Sequence, residues 1–191
     1  MVHAPYPDIS MMKVLGTIKM ICDGLSRVVY GGLKGSETRD VKMAVSNFEV
    51  EHLEFIISHG FKPSMNQVEY HVRFQRPELL EYCKANGIEL QAYRPLNQGA
   101  SLEIEEIKQL ASKYNTSTAL IIYSWLEQLG VSVVGKATSD THQHDLIIAQ
   151  RVVLSEDDMM LISNLNRDER TCTKGGWCIP FTEEIKKRWL L

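Results

Sequence analysis

The sequence predicts an α/β fold with a parallel sheet, and three observations carry that prediction. Segments with apolar residues at helical spacing alternate with short apolar runs, the order expected of strands joined by crossover helices. Two of these runs, around Val45-Ser46-Asn47-Phe48 and Asn66-Gln67-Val68-Glu69-Tyr70-His71, carry amide and hydroxyl side chains at their ends. Strand ends of that kind open onto the ligand crevice of a parallel α/β protein. The chain has 191 residues, 44% hydrophobic and 24% charged. That is enough for one domain over 1–191, but short of the roughly 250 residues of a complete eight-stranded α/β barrel.

Met1-Val2 reads as the last residues of a strand, ended by His3 and two prolines. Residues 10–30 read as a helix with Met12, Leu15, Ile18, Met20, Ile21 and Leu25 as its apolar side. A glycine-rich loop follows, then a strand over 41–45 and a helix over 50–58, stopped near Gly60 and Pro63. The next strand spans 64–68. Pro77 opens a helix at its first turn, and Asn86-Gly87 ends it. A strand over 88–92 leads into the turn Tyr93-Arg94-Pro95-Leu96. Ile104, Ile107, Leu110 and Ala111 place a helix over 102–113. Ser117 caps a helix that Gly130 ends, before a strand over 131–134. A helix follows over 140–150, and Ser155-Glu156-Asp157-Asp158 starts another that runs to 165. The tail is loop-rich, with a last helix over 183–190.

Composition excludes several classes. The net charge is -3 and no basic tract appears, which argues against nucleic acid as a partner. No stretch approaches the roughly 20 apolar residues of a membrane helix, and the N-terminus has no signal-peptide pattern. A cytoplasmic protein is expected. Cys22, Cys83, Cys172 and Cys178 lack Cys-x-x-Cys spacing and read as free thiols, with a Cys172–Cys178 bridge as the alternative. His142 and His144 are two apart and face different ways on a helix, so no metal site is expected there. His52 and His71 read as surface or loop histidines. Ser46, Asn47 and Gln67 are ligand-binding candidates, and caps or turns are their plain alternative.

Six segments, in order and at consistent spacing, resemble the aldo-keto reductase family. Ala44-Val45-Ser46-Asn47-Phe48 resembles its Gly-Val-Ser-Asn-Phe strand, and Asn66-Gln67-Val68-Glu69-Tyr70-His71 its Asn-Gln-Val-Glu-x-His segment. Pro77-Glu78-Leu79 with Tyr82-Cys83-Lys84 and Gly87-Ile88 is similar to the helix and strand that follow. Ala92-Tyr93-Arg94-Pro95-Leu96 is similar to Ala-Tyr-Ser-Pro-Leu. Trp125-Leu126, Gly130-Val131 and Lys136 continue the series, as do 154–159 and 165–167.

The resemblance implies an incomplete TIM (β/α)8 barrel that lacks about the first three βα units. It implies reduction of an aldehyde or ketone to an alcohol with NADP(H), or with NAD(H). Ser46, Asn47 and Gln67 would hold the nicotinamide carboxamide, whose acceptor and donor they complement. Tyr93 would stack on the ring. Leu96 would line the pyrophosphate path, and Lys136 would meet the 2′-phosphate as a point charge. His3 would hydrogen-bond the substrate carbonyl and polarise it.

The departures from the family pattern are equally specific. Of the family's catalytic Asp, Tyr, Lys and His, only His3 has a counterpart. Little reductase activity is therefore expected of this chain by itself, since general acid catalysis contributes about 10²–10⁴-fold. The 2′-phosphate loop reads Lys136-Ala137 followed by His142 where the family carries an Arg, and a charged His142 would replace that clamp in part. A non-catalytic nucleotide-binding remnant, or a partner that completes another chain, is the alternative. Open barrel edges would then favour self-association.

Overall fold

Alternating helical and extended segments build a parallel α/β sheet in this computed structural model. It describes residues 1, 5, 10–30, 42–135, 147–172 and 181–191, with 23–30 and 150 given by backbone alone. Four strands, β1 (Ala44–Ser46), β2 (Met65–Glu69), β3 (Glu89–Tyr93) and β4 (Ser132–Val134), lie in that order in one sheet. The β3–β4 pairing is parallel and sets Gln91, Ala92 and Tyr93 against Ser132, Val133 and Val134. Every strand falls on a predicted run. Each ends one residue later than predicted, except β4, which ends where expected. The expected strand end at Val2 and most of the expected 140–150 helix lie outside the described residues.

The chain forms two compact units. The first comprises Met1–Asn66, Asn86–Ile88 and Thr173–Leu191. It holds β1, the start of β2, and the helices α1 (Met11–Tyr30) and α2 (Val50–Ser58). Its C-terminal helix, Glu183–Leu190, is α7 when the helices are counted along the chain. α1 packs against α7, and the Ser10 hydroxyl donates to the Trp189 carbonyl at 3.4 Å. Phe48, His52, Phe55, Phe181 and the fully buried Trp189 form one aromatic cluster. The predicted apolar side of α1 is only partly right. Met11 and Leu15 are buried, whereas Met20 and Ile21 are exposed. At about 3.6 residues per turn, Met20 stands two and a half turns beyond Met11, on the opposite side of the helix.

The second unit comprises Gln67–Ala85 and Glu89–Cys172. It holds α3 (Pro77–Ala85), α4 (Glu105–Lys113), α5 (Thr118–Gln128) and α6 (Glu156–Ser163). α5 is the central helix: residues 120–126 are all buried, so it is apolar on every side. Ser117 caps it through Leu120 N, and Gly130 just past its end has φ +75°. Helix α4 starts at Glu105 and not at 102. Asn97–Glu103 forms 3₁₀ turns broken at Gln98 and Gly99, and Ile104 is extended. Gln98 and Gly99 sit at positive φ, which no continuous helix tolerates. α6 ends at Ser163, two residues short of the prediction.

Candidate functional site

In the first unit, β1 delivers Ser46 and Asn47. Both are buried, and Asn47 adopts φ +61°, a left-handed conformation that asparagine tolerates better than most residues. The Asn47 amide nitrogen donates to the Ser46 hydroxyl oxygen at 3.0 Å. Asn66 fixes the backbone just beyond. Its amide nitrogen donates to Phe48 O at 2.8 Å, and its carbonyl accepts from Phe48 N at 3.3 Å. Asn66 is fully buried and acts as a side-chain splint for the Ser46-Asn47 turn. Its place at the head of the second motif was the available signal, although no role was assigned to it from sequence.

His52 is buried, against the expectation of a surface histidine. Its Nδ1 accepts from Glu49 N at 3.0 Å while the Glu49 side chain bonds the third backbone amide of α2, a reciprocal capping box. Burial pushes its pKa down to about 4, so the imidazole is neutral.

In the second unit, Gln67 and Tyr93 stand on β2 and β3. Gln67 donates to Gln91 Oε1 at 2.6 Å, a bond across the two strands. Tyr93 ends β3, half-buried. Burial first, then a hydrogen bond with the Cys172 thiol, raises its phenol above the usual range. Leu96 packs against Leu120, Tyr123 and Ala149. Arg94, Asn97 and Gln98 all have positive φ, at 54°, 48° and 56°. Three such non-glycine residues within five positions concentrate backbone strain beside Tyr93, as functional segments do.

The group that sequence reasoning missed surrounds Glu69. This carboxylate closes β2 and is 2% exposed. It accepts from Thr171 N at 3.1 Å, from Cys172 N at 3.0 and 3.1 Å, and from the Thr171 hydroxyl. His71 Nε2 lies 3.5 Å away. His71, expected as a surface or loop histidine, lies just past the end of β2 but is fully buried, and neither of its ring nitrogens has a hydrogen-bond partner. Burial works against the Glu69 charge, but the nearby His71 and the hydrogen bonds from Thr171 and Cys172 outweigh it and hold the pKa down to about 2. A charged residue at the end of an apolar strand was the readable signal; that residues 171–172 would meet it was not.

Ser46 and Asn47 are thus adjacent in one unit, and Gln67, Tyr93 and Leu96 stand in the other. His3, Lys136 and His142 lie outside the described residues. Cys22, Cys83 and Cys172 are free thiols. Among the described residues no helix is long and apolar enough to cross a membrane.

Residues 41–167 match the model of the aldo/keto reductase family. The glyoxal reductase of Bacillus subtilis (strain 168) is 42% identical over 132 residues, which is 67% of this chain and 47% of that protein. Aldose reductase B of Dictyostelium discoideum is 36% identical over 139 residues, 71% of this chain and 45% of that protein. The crystal structure of a Gox0644 mutant in complex with NADPH superposes with a TM-score of 0.63 at 34% identity, covering 66% of this chain and 47% of that one. Gox0644 in its apo form gives 0.66 at 30% identity, covering 84% and 58%. The chain spans about half the length of the curated relatives it matches. With a family model matching 127 of its 191 residues and a four-stranded parallel sheet of the same architecture, the chain belongs to the aldo/keto reductase family.

Proposed function

We propose that this chain supplies the nicotinamide-nucleotide-binding part of a reductase that converts an aldehyde or ketone to an alcohol, with NADP(H) as cofactor and NAD(H) as the alternative. The observation that carries the reading is the family match over 41–167, which includes both strand-end motifs. The residues present suit the group. Ser46, Asn47 and Gln67 offer a hydroxyl and two carboxamides, the complement of a carboxamide's acceptor and donor. Tyr93 offers a flat aromatic face. The bound nicotinamide supplies the hydride.

This chain's residues then bind and orient. Ser46, Asn47 and Gln67 hold the carboxamide, and Tyr93 carries the ring. Leu96 borders the diphosphate. Lys136, with His142 in its charged form, meets the 2′-phosphate. His3 donates a hydrogen bond to the carbonyl oxygen and so stabilises the negative charge that develops there. Three free thiols among the described residues fit a reducing cytoplasm.

Two assays test the reading. Nicotinamide fluorescence titration is expected to give saturable NADPH binding by the purified chain. NADPH oxidation with glyoxal or a simple aldehyde is expected to stay near background, because no tyrosine–lysine pair matches the family's proton donor. Absence of binding overturns the nucleotide reading, and rapid turnover overturns the account of the missing acid.

A second reading has its own observation. Among the described residues β1 and β4 each have one neighbour in the sheet, and Val134 on β4 is exposed. Such edges accept a further strand, so the chain also suits a role as a partner that completes a sheet, including that of a second copy.

A further inference from the structure

We propose that Glu69 is a positioning residue: it anchors Thr171 and Cys172 to the end of β2 and thereby sets the posture of Tyr93 as the platform for the nicotinamide ring. The proposal rests on the nucleotide-binding reading given above. An apolar side chain at position 69 would fill the same buried space without the cost of desolvating a charge. The carboxylate is there for its acceptors, and one short segment saturates them: two backbone amides and a hydroxyl, all from residues 171 and 172.

That segment reaches Glu69 already stitched to the turn after β2. Arg167 N and Glu169 N both donate to Arg73 O, at 3.1 and 3.0 Å. Gln75 N donates to Asn166 Oδ1 at 3.0 Å, and the Gln75 amide donates to Ile162 O at 2.9 Å. The Arg170 guanidinium sits 5.0 Å from the centre of the Phe74 ring. Residues 162–170 are therefore held without help from Glu69, and Glu69 governs only the last two residues.

Those two residues touch the platform. The Cys172 thiol meets the Tyr93 phenol, and Arg94 Nη1 reaches Thr171 Oγ1 at 3.4 Å. Arg94 follows Tyr93 directly and holds a left-handed backbone that needs its surroundings to maintain it. One polar network thus joins the end of β2, residues 171–172 and the end of β3. Serine stands in the family motif where this chain has Arg94, so the arginine arm of the network is a departure from that motif.

The test compares Glu69→Gln and Thr171→Val with the wild type by calorimetric titration of two probes, NADPH and 2′-phospho-ADP-ribose, which lacks the nicotinamide ring. The proposal expects the NADPH Kd to rise about tenfold in both variants while that of the ring-less probe changes by less than about twofold. A general loss of structure would move both probes together. Equal loss on both, or no change on either, overturns the proposal. If Glu69→Gln does not fold, Thr171→Val carries the same comparison, since it removes a single hydroxyl. Wild type that fails to bind NADPH overturns the nucleotide reading instead. The anchoring is then judged by peptide-mapped alkylation of Cys172. Labelling about tenfold faster in Thr171→Val supports the anchor, and an unchanged rate overturns it.

Discussion

Asn66 shows how a single amide decides the shape of a strand end. Both halves of its carboxamide bind the Phe48 backbone, in a fully buried position. Asn66→Ala strands a buried N–H and a buried C=O at once, and each orphaned group costs about 1–3 kcal/mol. Urea denaturation is expected to show a loss of roughly 2–4 kcal/mol, whereas substitution of the exposed Lys62 leaves the midpoint unchanged. His52 makes a pH prediction at the same scale. Its folded pKa of about 4 lies below the ordinary histidine value of 6.5, so the unfolded chain binds the proton first as pH falls. The stability linked to this residue is complete above pH 6.5 and is lost as pH falls towards 4, by roughly 3 kcal/mol in all. His52→Phe is expected to flatten the slope between pH 6.5 and 4.5, a window that precedes most carboxylate titration. An unchanged slope in that variant would assign the acid sensitivity elsewhere. That Ser46, Asn47, Gln67 and Tyr93 fall on or beside strands was legible in the sequence because each sits inside a motif. The Glu69 network was not, because its partners lie about a hundred positions away and no local pattern announces them.

Among the elements, two helices were read to the residue. Val50–Ser58 and Pro77–Ala85 fall where the breakers and the opening proline put them. Helix α6 shows why such signals work. Ser155 accepts from Asp158 N at 3.3 Å and donates to Asp158 Oδ2 at 2.7 Å. Asp158 in turn receives Lys113 Nζ at 2.7 Å and the Tyr114 hydroxyl, which ties α4 to α6. Ser155→Ala removes the cap and is expected to cost about 1 kcal/mol. Asp158→Asn also cuts the tie to α4, so it is expected to destabilise more than Ser155→Ala in the same thermal melt. The reverse order would mean that the cap, and not the tie, dominates. Helix α1 was read less well. Its apolar residues cover more than one side, so periodicity alone could not tell the face that packs on α7 from the one bearing Met20 and Ile21. The start of α4 was misplaced because Ile104, whose apolar spacing reads as helical, is extended and separates a 3₁₀ turn from Glu105.

For the whole molecule, the parallel order of the four strands followed from strand–helix alternation, since parallel neighbours need crossovers. Among the described residues the sheet leaves β1 and β4 as edges, with Val134 exposed on one of them. Sedimentation velocity is expected to show a concentration-dependent species heavier than the 21.8 kDa monomer, and Val134→Lys is expected to reduce it. A single monomer boundary at every concentration would remove the sheet-completing role. The proposed role of the side chains at 46, 47 and 67 is to grip a nicotinamide nucleotide. Its most direct test is the NADPH Kd of Asn47→Ala beside wild type, with circular dichroism confirming an unchanged fold. Saturable wild-type binding that weakens about tenfold or more in the variant is expected. Equal affinity in the two proteins would contradict it.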